Sequence, residues 1–245
     1  MIVKRMLLSR RRQDWAMVVI EFLLVVVGVL FAFQINEWAT ERASEKSRQQ
    51  ASELLLEEVE RAVAYIRQAT QYEQGNVDAL RTMLRFDAGS GAPAEKEALM
   101  AKLVSTRAMV ALAPPSSVYD DIVSSGELNR IGDERVRAAT GRFRSTLSFE
   151  ERMRQQLQTT LPAFERIGAF RYALDRNGQM AMQVDFAALE RDSQARQIVA
   201  LTAENHRILL MLRTRALRDG ERMCVALGKF VGRDCNLRRP PPAFE

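Results

Sequence analysis

One stretch of the sequence is apolar on every face of a helix and long enough to cross a bilayer. From Trp15 to Phe33 the chain carries one charged residue, Glu21. A run of this length at about 1.5 Å per residue spans roughly 28 Å, close to the hydrocarbon thickness of a membrane. Trp15 and Trp38 bracket it, as interfacial anchors do. A buried core helix is the competing interpretation, but the all-round apolar character favours a transmembrane helix over residues 15–35, in contact with lipid.

Basic residues predict the orientation of this helix. Five lysines and arginines lie in the tail of residues 1–14, whereas basic and acidic residues are mixed after the span. The positive charge before the span predicts a cytoplasmic tail and an extracytoplasmic domain, which is periplasmic if the span lies in a bacterial inner membrane. Glu37 and Glu41 disrupt a small-x-small cleavage site, so we expect an uncleaved anchor rather than a signal peptide.

A carboxyl group and two small residues share one face of the predicted span. Glu21 is followed on this face by Gly28 and Ala32, whose spacing lets another helix approach closely. A charge deep in lipid costs about 2.5–3.5 kcal/mol on insertion scales, and protonation would relieve that cost. Two interpretations stay open. Glu21 is either a proton-linked carboxyl at a helix–helix contact or a carboxyl that reaches the cytoplasmic interface or the nearby arginines.

The residues after the span predict an all-α fold. Strong helix formers dominate, and Val and Ile rarely alternate with polar residues, so strands have little support. No Gly or Pro lies between Gly28 and Gly75, so the transmembrane helix is expected to continue into a long helix. Its apolar seam, with three/four spacing, suits packing within a domain and packing between chains about equally. We expect residues 36–232 to form a helical bundle and residues 233–245 to form a Pro-rich tail, whose last part, LRRPPPAFE (237–245), frays.

Local signals predict helix boundaries within the bundle. Ser116 or Ser117 can cap a short helix, and Gly126 suits its left-handed end. Asp133 suits the N-cap of a long helix that ends before Pro162. Three further expectations are a bend or turn near Gly75, a helix over residues 163–174, and a break at Asp219-Gly220 in the last helix.

Two stretches carry a family resemblance. The first is EFLLVVVGVLFAFQINEWATER, a span that ends in Gln-Ile-Asn-x-Trp, and the second is SSVYDDIVSSGELNRIGDERVR, a helix–Gly turn–helix unit. Together they resemble a family of uncharacterised bacterial membrane proteins classed as a domain of unknown function. The resemblance covers the first 50 residues and residues 116–145. It implies one N-terminal span and a helical soluble part, and it implies no established activity or catalytic residue.

The sequence contains no motif for catalysis or for binding a cofactor or metal. His206 is the only histidine, whereas a histidine metal site needs several ligands and a catalytic triad needs its accompanying loops. We interpret His206 as a residue at the surface or core edge of a helix. The arginine-rich helices carry interleaved acids and lack an aromatic stacking platform, which is typical of a solvated surface and not of a nucleic-acid interface. We expect a non-enzymatic protein.

Cys224 and Cys235 are the only two cysteines. On one continuous helix they would lie about 16 Å apart, beyond the reach of a disulfide. Gly228 and Gly232 can end the helix and let the chain fold back, and an oxidising compartment then favours a bridge. We expect an intramolecular disulfide, with free or intermolecular thiols as the alternative.

These features favour a membrane-anchored interaction or scaffold protein of the bacterial envelope, which is homo-oligomeric or bound to an envelope partner and has no known small-molecule ligand. Two alternatives stay open. One is an accessory subunit of an ion-coupled transport or energy-transducing complex in which Glu21 titrates. The other is an extracytoplasmic ligand-sensing domain that acts through a partner, because a tail of residues 1–14 cannot hold an output domain.

Overall fold

The fold is all-α apart from one short hairpin, as the sequence predicts. The computed structural model describes residues 2–86, 92–129, 131–161, 164, 167–174, 178 and 180–240. The helices are α1 (Ile2–Arg85), α2 (Pro93–Leu103), α3 (Ser117–Ser124), α4 (Glu134–Thr159), α5 (Phe186–Arg191) and α6 (Ser193–Val231). Strands β1 (Phe170–Leu174) and β2 (Met180–Val184) precede α5, and 3-10 turns occupy Val104–Arg107 and Glu127–Asn129.

The chain divides into two units, Met1–Gln50 and Ala51–Glu245. In the first unit, the large apolar side chains of α1 between Met17 and Trp38 are exposed, apart from the partly buried Val26. From Met17 onward α1 is long and apolar enough to cross a membrane, and the most apolar window of that stretch has no buried residue. The competing interpretation, a core helix, would require burial against the rest of the protein.

The second unit is built around the C-terminal part of α1. Its buried side chains occupy nearly consecutive positions: Leu55, Leu56, Glu58, Val59, Glu60, Ala62, Val63, Ala64 and Ile66. An a/d seam would bury one stripe and leave the other positions exposed. Burial on more than one face therefore favours a central helix within a domain over a coiled-coil seam between chains.

Two large apolar clusters and a small one around Leu209 lie among the described residues of the second unit, and α6 contributes to all three. One large cluster joins α1 to α3, α4 and the C-terminal part of α6, through residues that include Leu56, Ile122, Phe143 and Leu227. The other large cluster joins the end of α1 to α2, the hairpin, α5 and the N-terminal part of α6, through residues that include Leu80, Leu103, Met182 and Val199.

A β-hairpin replaces part of the helix expected over residues 163–174, so that prediction is wrong. β1 and β2 are antiparallel, with Phe170 opposite Val184 and Tyr172 opposite Met182. Phe170, Met182 and Val184 are buried on the face that contacts the core, whereas Arg171 and Gln183 are exposed. Core-facing and exposed residues alternate along each strand, but each strand is only five residues long. So short an alternating pattern is hard to recognise in a sequence rich in helix-forming residues.

Gly75 and Gly220, where a turn and a break were expected, both lie inside continuous helices. α1 continues as a helix through Gly75, which is exposed and has open space where a Cβ would be. α6 continues through Gly220, where an added Cβ would lie 3.0 Å from Phe143 Cε2 and 3.2 Å from Val63 Cγ2. Gly220 therefore lets α6 approach α4 and α1 closely. By contrast, Gly126 takes the expected positive φ of 73°, and the Asp133 carboxylate caps α4 by accepting from the Val136 N–H at 2.9 Å.

The C-terminal tail folds back onto the domain over its described residues 233–240. The predicted fraying is wrong for residues 237–240, because the Leu237 carbonyl accepts from Arg67 and Arg239 donates to Glu60. α6 ends at Gly232, with φ 78°, and the Arg233 N–H donates to the Gly228 carbonyl at 3.0 Å. Cys224 and Cys235 form a disulfide with their Cα atoms 5.6 Å apart, which is the geometry expected if the glycines end the helix. Residues 241–245 lie outside the described residues.

We predict that Gly228 tolerates no side chain. A Cβ added there would lie 2.6 Å from the Arg233 carbonyl oxygen and 3.0 Å from the Cys235 backbone nitrogen. Gly228→Ala should therefore lower the free energy of unfolding by about 1–3 kcal/mol, measured by urea denaturation of the full-length protein in mild detergent. Gly141→Ala is the matched control, because Gly141 is exposed in α4 with nothing within 4 Å of the added Cβ. It should be neutral or stabilise by up to about 1 kcal/mol, and equal losses in both variants would contradict the proposed clash.

Candidate functional site

Three glutamates of α1 are buried, and each binds a different part of the domain. Glu58, Glu60 and Glu73 are exposed by 3 % or less. A buried carboxylate is costly unless nearby donors replace the lost water. Their partners therefore show which elements the central helix holds in place.

Glu58 binds the N-terminus of α3. Its carboxylate accepts from the backbone N–H groups of Val118 at 2.7 Å and Tyr119 at 3.0 Å. The Ser117 hydroxyl donates to the same group at 3.2 Å. The first N–H groups of a helix lack partners within the helix, and the helix dipole favours negative charge there. A carboxylate from α1 thus performs the capping role that the sequence assigned to Ser116 or Ser117.

Glu60 binds the C-terminal tail. Its Oε1 accepts from the Asn236 N–H at 2.9 Å and from Arg233 at 3.1 Å, and its Oε2 accepts from Arg239 at 3.2 Å. Arg67, two turns along α1, donates to the Leu237 carbonyl at 2.7 Å. Together with the disulfide, these contacts attach the tail to α1.

The Glu60 carboxylate and the two sulfur atoms are the one trio of potential metal-ligand atoms among the described residues, all lying within 4.8 Å of one another. Their chemistry does not suit a metal ion. The two sulfur atoms are bonded to each other in a disulfide, whereas a cysteine binds a metal ion as a free thiolate. The carboxylate already binds two guanidinium groups. We therefore assign this cluster to attachment of the tail.

Glu73 belongs to a buried ionic network with His206, Arg213 and Glu150. His206 is fully buried, so its interpretation as a surface or core-edge residue is wrong. Its Nδ1 lies 2.5 Å from Glu73 Oε1, and its Nε2 lies 2.9 Å from the Thr106 carbonyl oxygen. Because a carbonyl only accepts, Nε2 carries a proton.

Arg213 of α6 binds acceptors in three different segments of the chain. Its Nη1 donates to Glu73 Oε2 at 3.2 Å, its Nε donates to Glu150 Oε1 at 3.3 Å, and its Nη2 donates to the Val110 carbonyl. A guanidinium on α6 thus holds α1, α4 and the connector after α2 together. Its planar array of donors suits this role, since it can serve several acceptors at once.

Glu150 is the acid that α4 contributes to the network, and its carboxyl is fully buried. Burial raises the pKa of its carboxyl above the ordinary value, and the charge and hydrogen bond of Arg213 partly oppose that rise. Its Oε2 has no hydrogen-bond partner among the described residues. The four side chains are exposed by 1 % or less. They are sealed from solvent, and their geometry suits holding helices together.

The residues predicted in the span lie on the exposed part of α1 in the first unit. Trp15 and Trp38 are 70 % and 56 % exposed, and the Arg42 guanidinium lies 4.1 Å from the centre of the Trp38 ring. An arginine stacked on an aromatic ring suits the polar edge of a membrane. Glu21 and Ala32 are exposed, and a Cβ at Gly28 would meet nothing within 4 Å. This face is therefore open for another helix.

We predict that Arg213 is essential for stability and that an exposed arginine of the same helix is not. Arg213→Met leaves two carboxylates buried without their cation, so it should lower the free energy of unfolding by about 3–5 kcal/mol in urea denaturation. Arg207→Met, which removes an exposed partner of Glu204, should change it by no measurable amount. The double variant Glu73→Gln/Arg213→Met should recover part of the loss. No difference between Arg213→Met and Arg207→Met would contradict the network's role.

The raised pKa of Glu150 predicts a pH-dependent contribution to stability. A carboxyl with a raised pKa binds its proton more tightly in the folded state, so its contribution is fully present below its ordinary pKa and is lost as pH rises through the raised value. The free energy of unfolding of the wild type, relative to Glu150→Gln, should therefore fall as pH rises through this window. Urea denaturation at a series of pH values tests this. A relative stability that rises with pH would show that Arg213 outweighs burial.

The chain matches no family model, no curated protein and no solved structure. The resemblance carried by the span and the helix–Gly turn–helix unit therefore stays a prediction.

Proposed function

We propose that this chain is a membrane-anchored, non-enzymatic interaction or scaffold protein of the bacterial envelope, whose helical domain lies on the periplasmic side. The exposed apolar part of α1 supports this proposal most directly. Apart from the partly buried Val26, its large apolar side chains from Met17 to Phe33 are 45–74 % exposed. Exposing so many apolar side chains to water is unfavourable, whereas contact between them and lipid is favourable.

Two independent observations support the periplasmic side. Basic residues are concentrated before the span, and positive charge is retained on the cytoplasmic side. The disulfide between Cys224 and Cys235 lies in the second unit, and disulfides persist mainly in oxidising compartments. Both observations support a second unit outside the cytoplasm.

The chemistry of the buried charges supports a role without catalysis. The carboxylates of Glu58, Glu60 and Glu73 bind backbone N–H groups or cations of the protein itself. The one histidine is bound on both ring nitrogens. The strongest candidates for acid–base chemistry are thus engaged in holding the fold.

The predicted span supports an interaction with another helix inside the membrane. Glu21, Gly28 and Ala32 share one face, since they are separated by whole or nearly whole helical turns. Small residues let two backbones approach closely in lipid, where packing rather than the hydrophobic effect drives association. We therefore assign self-association, or contact with another envelope helix, to this face.

This proposal predicts that bulk added to the small-residue face weakens association. Gly28→Leu and Ala32→Leu should each weaken self-association by about tenfold or more in sedimentation equilibrium of the full-length protein in mild detergent. Val19→Leu is the matched control, because Val19 lies half a turn around the helix from Gly28 and is also exposed. A wild type that is monomeric in detergent and yields no cross-linked partner in native membranes would overturn the interaction proposal.

A further inference from the structure

A basic groove lies between the start of α4 and the C-terminal half of α6, in the second unit. It has a volume of about 500 Å³, within the range of small-molecule sites. Its basic walls are Arg135 of α4 with Arg218, Arg222 and Lys229 of α6. We call it the α4–α6 groove. It lies outside the buried ionic network, and the sequence interpretation treated these arginines as a solvated surface.

The positive charge continues along α6 beyond the groove. A neighbouring cavity of about 470 Å³ shares Arg218 and Arg222 and adds Arg142 and Arg215. Residues 215, 218, 222 and 229 recur at helical spacing, so they share one face of α6 over about 21 Å. Cations aligned in this way repel one another, and a bound anion would relieve that repulsion.

Two carboxylates, Asp133 and Glu221, line the groove with four basic side chains, so positive charge is in excess there. The Asp133 carboxylate caps α4 by accepting from the Val136 N–H at 2.9 Å. Glu221 is paired with Arg67 at 2.9 Å. In contrast, Arg135, Arg218 and Lys229 form no ion pair with any residue that the structure describes. Their charge is therefore available to a ligand.

The same groove has an apolar part. Val225, Ala226 and Phe230 line it beside the basic side chains. Val225 is 42 % and Phe230 is 47 % exposed, although neighbouring apolar residues of α6, such as Cys224 and Leu227, are buried. Cations next to exposed apolar side chains complement a molecule with one charged end and one apolar end.

We propose that the α4–α6 groove binds an anionic amphiphile through a phosphate head group. Several converging cations suit a doubly charged anion, and guanidinium groups match phosphate oxygens with paired hydrogen bonds. Val225, Ala226 and Phe230 would cover the first carbons of the apolar chain, removing them from water. This site goes beyond the interaction role proposed above, and its test does not depend on the side of the membrane or on self-association.

Three soluble probes distinguish binding of the phosphate group from binding of the apolar chain. Full-length protein in phosphatidylcholine nanodiscs would be titrated by calorimetry with hexyl phosphate, inorganic phosphate and hexanol, with empty nanodiscs as the blank. Hexyl phosphate should bind about tenfold or more tightly than inorganic phosphate, and its affinity should fall as salt rises. Hexanol should show no binding above the blank. Equal affinity for the two phosphates would assign the groove to free phosphate and overturn the amphiphile, and no binding of either would overturn the site.

Variants assign the binding to the groove. Arg218→Gln and Lys229→Gln should each weaken hexyl phosphate and inorganic phosphate by about tenfold, whereas Phe230→Ser should weaken only hexyl phosphate. Arg152→Gln is the control for charge, because Arg152 is exposed on α4 outside both cavities. Leu201→Ser is the control for apolar surface, because Leu201 is a half-exposed residue of α6. Equal weakening by a groove variant and its control would overturn the assignment.

Discussion

Removing a carboxylate from water costs several kcal/mol unless donors replace the water, and the central helix of this domain buries three of them. Glu58, Glu60 and Glu73 each meet donors from a part of the chain that is distant in sequence: the start of α3, the C-terminal tail, and α6. A different arrangement of these segments would leave charges buried without partners. The carboxylates therefore select this arrangement more strongly than apolar packing alone, which tolerates many exchanges.

The network around Arg213 restricts the arrangement of the helices more than any other group of buried charges in the described part of the chain. One guanidinium serves α1, α4 and the connector at Val110, and His206 links Glu73 to Thr106. An ion pair of this kind adds little net stability over well-packed apolar residues, but losing one member is costly. Gly220 has a related role, since it lets α6 lie close to Phe143 of α4 and Val63 of α1. The disulfide and Glu60 then secure the residues that follow α6.

Features set by local chemistry could be predicted from the sequence, and features set by distant partners could not. The apolar run, the left-handed Gly126 and the Asp133 cap each depend on neighbouring residues. The burial of His206 depends on Glu73, which is 133 residues away. The hairpin replaces a helix because Phe170, Met182 and Val184 contact the core, and the tail is ordered because Glu60 binds it. The row of cations on α6 follows from local spacing, but the α4–α6 groove forms only when α4 and α6 are brought together.

In the proposed role, the apolar helix would anchor the chain in lipid, and the domain stabilised by internal ion pairs and a disulfide would lie outside the cytoplasm. Its central claim concerns the side of the membrane. The most direct test is labelling of intact cells with a membrane-impermeant thiol reagent, before and after treatment with an impermeant reductant. We predict that Cys224 and Cys235 are labelled only after reduction. Labelling only after the cells are lysed would place the domain in the cytoplasm and contradict the account.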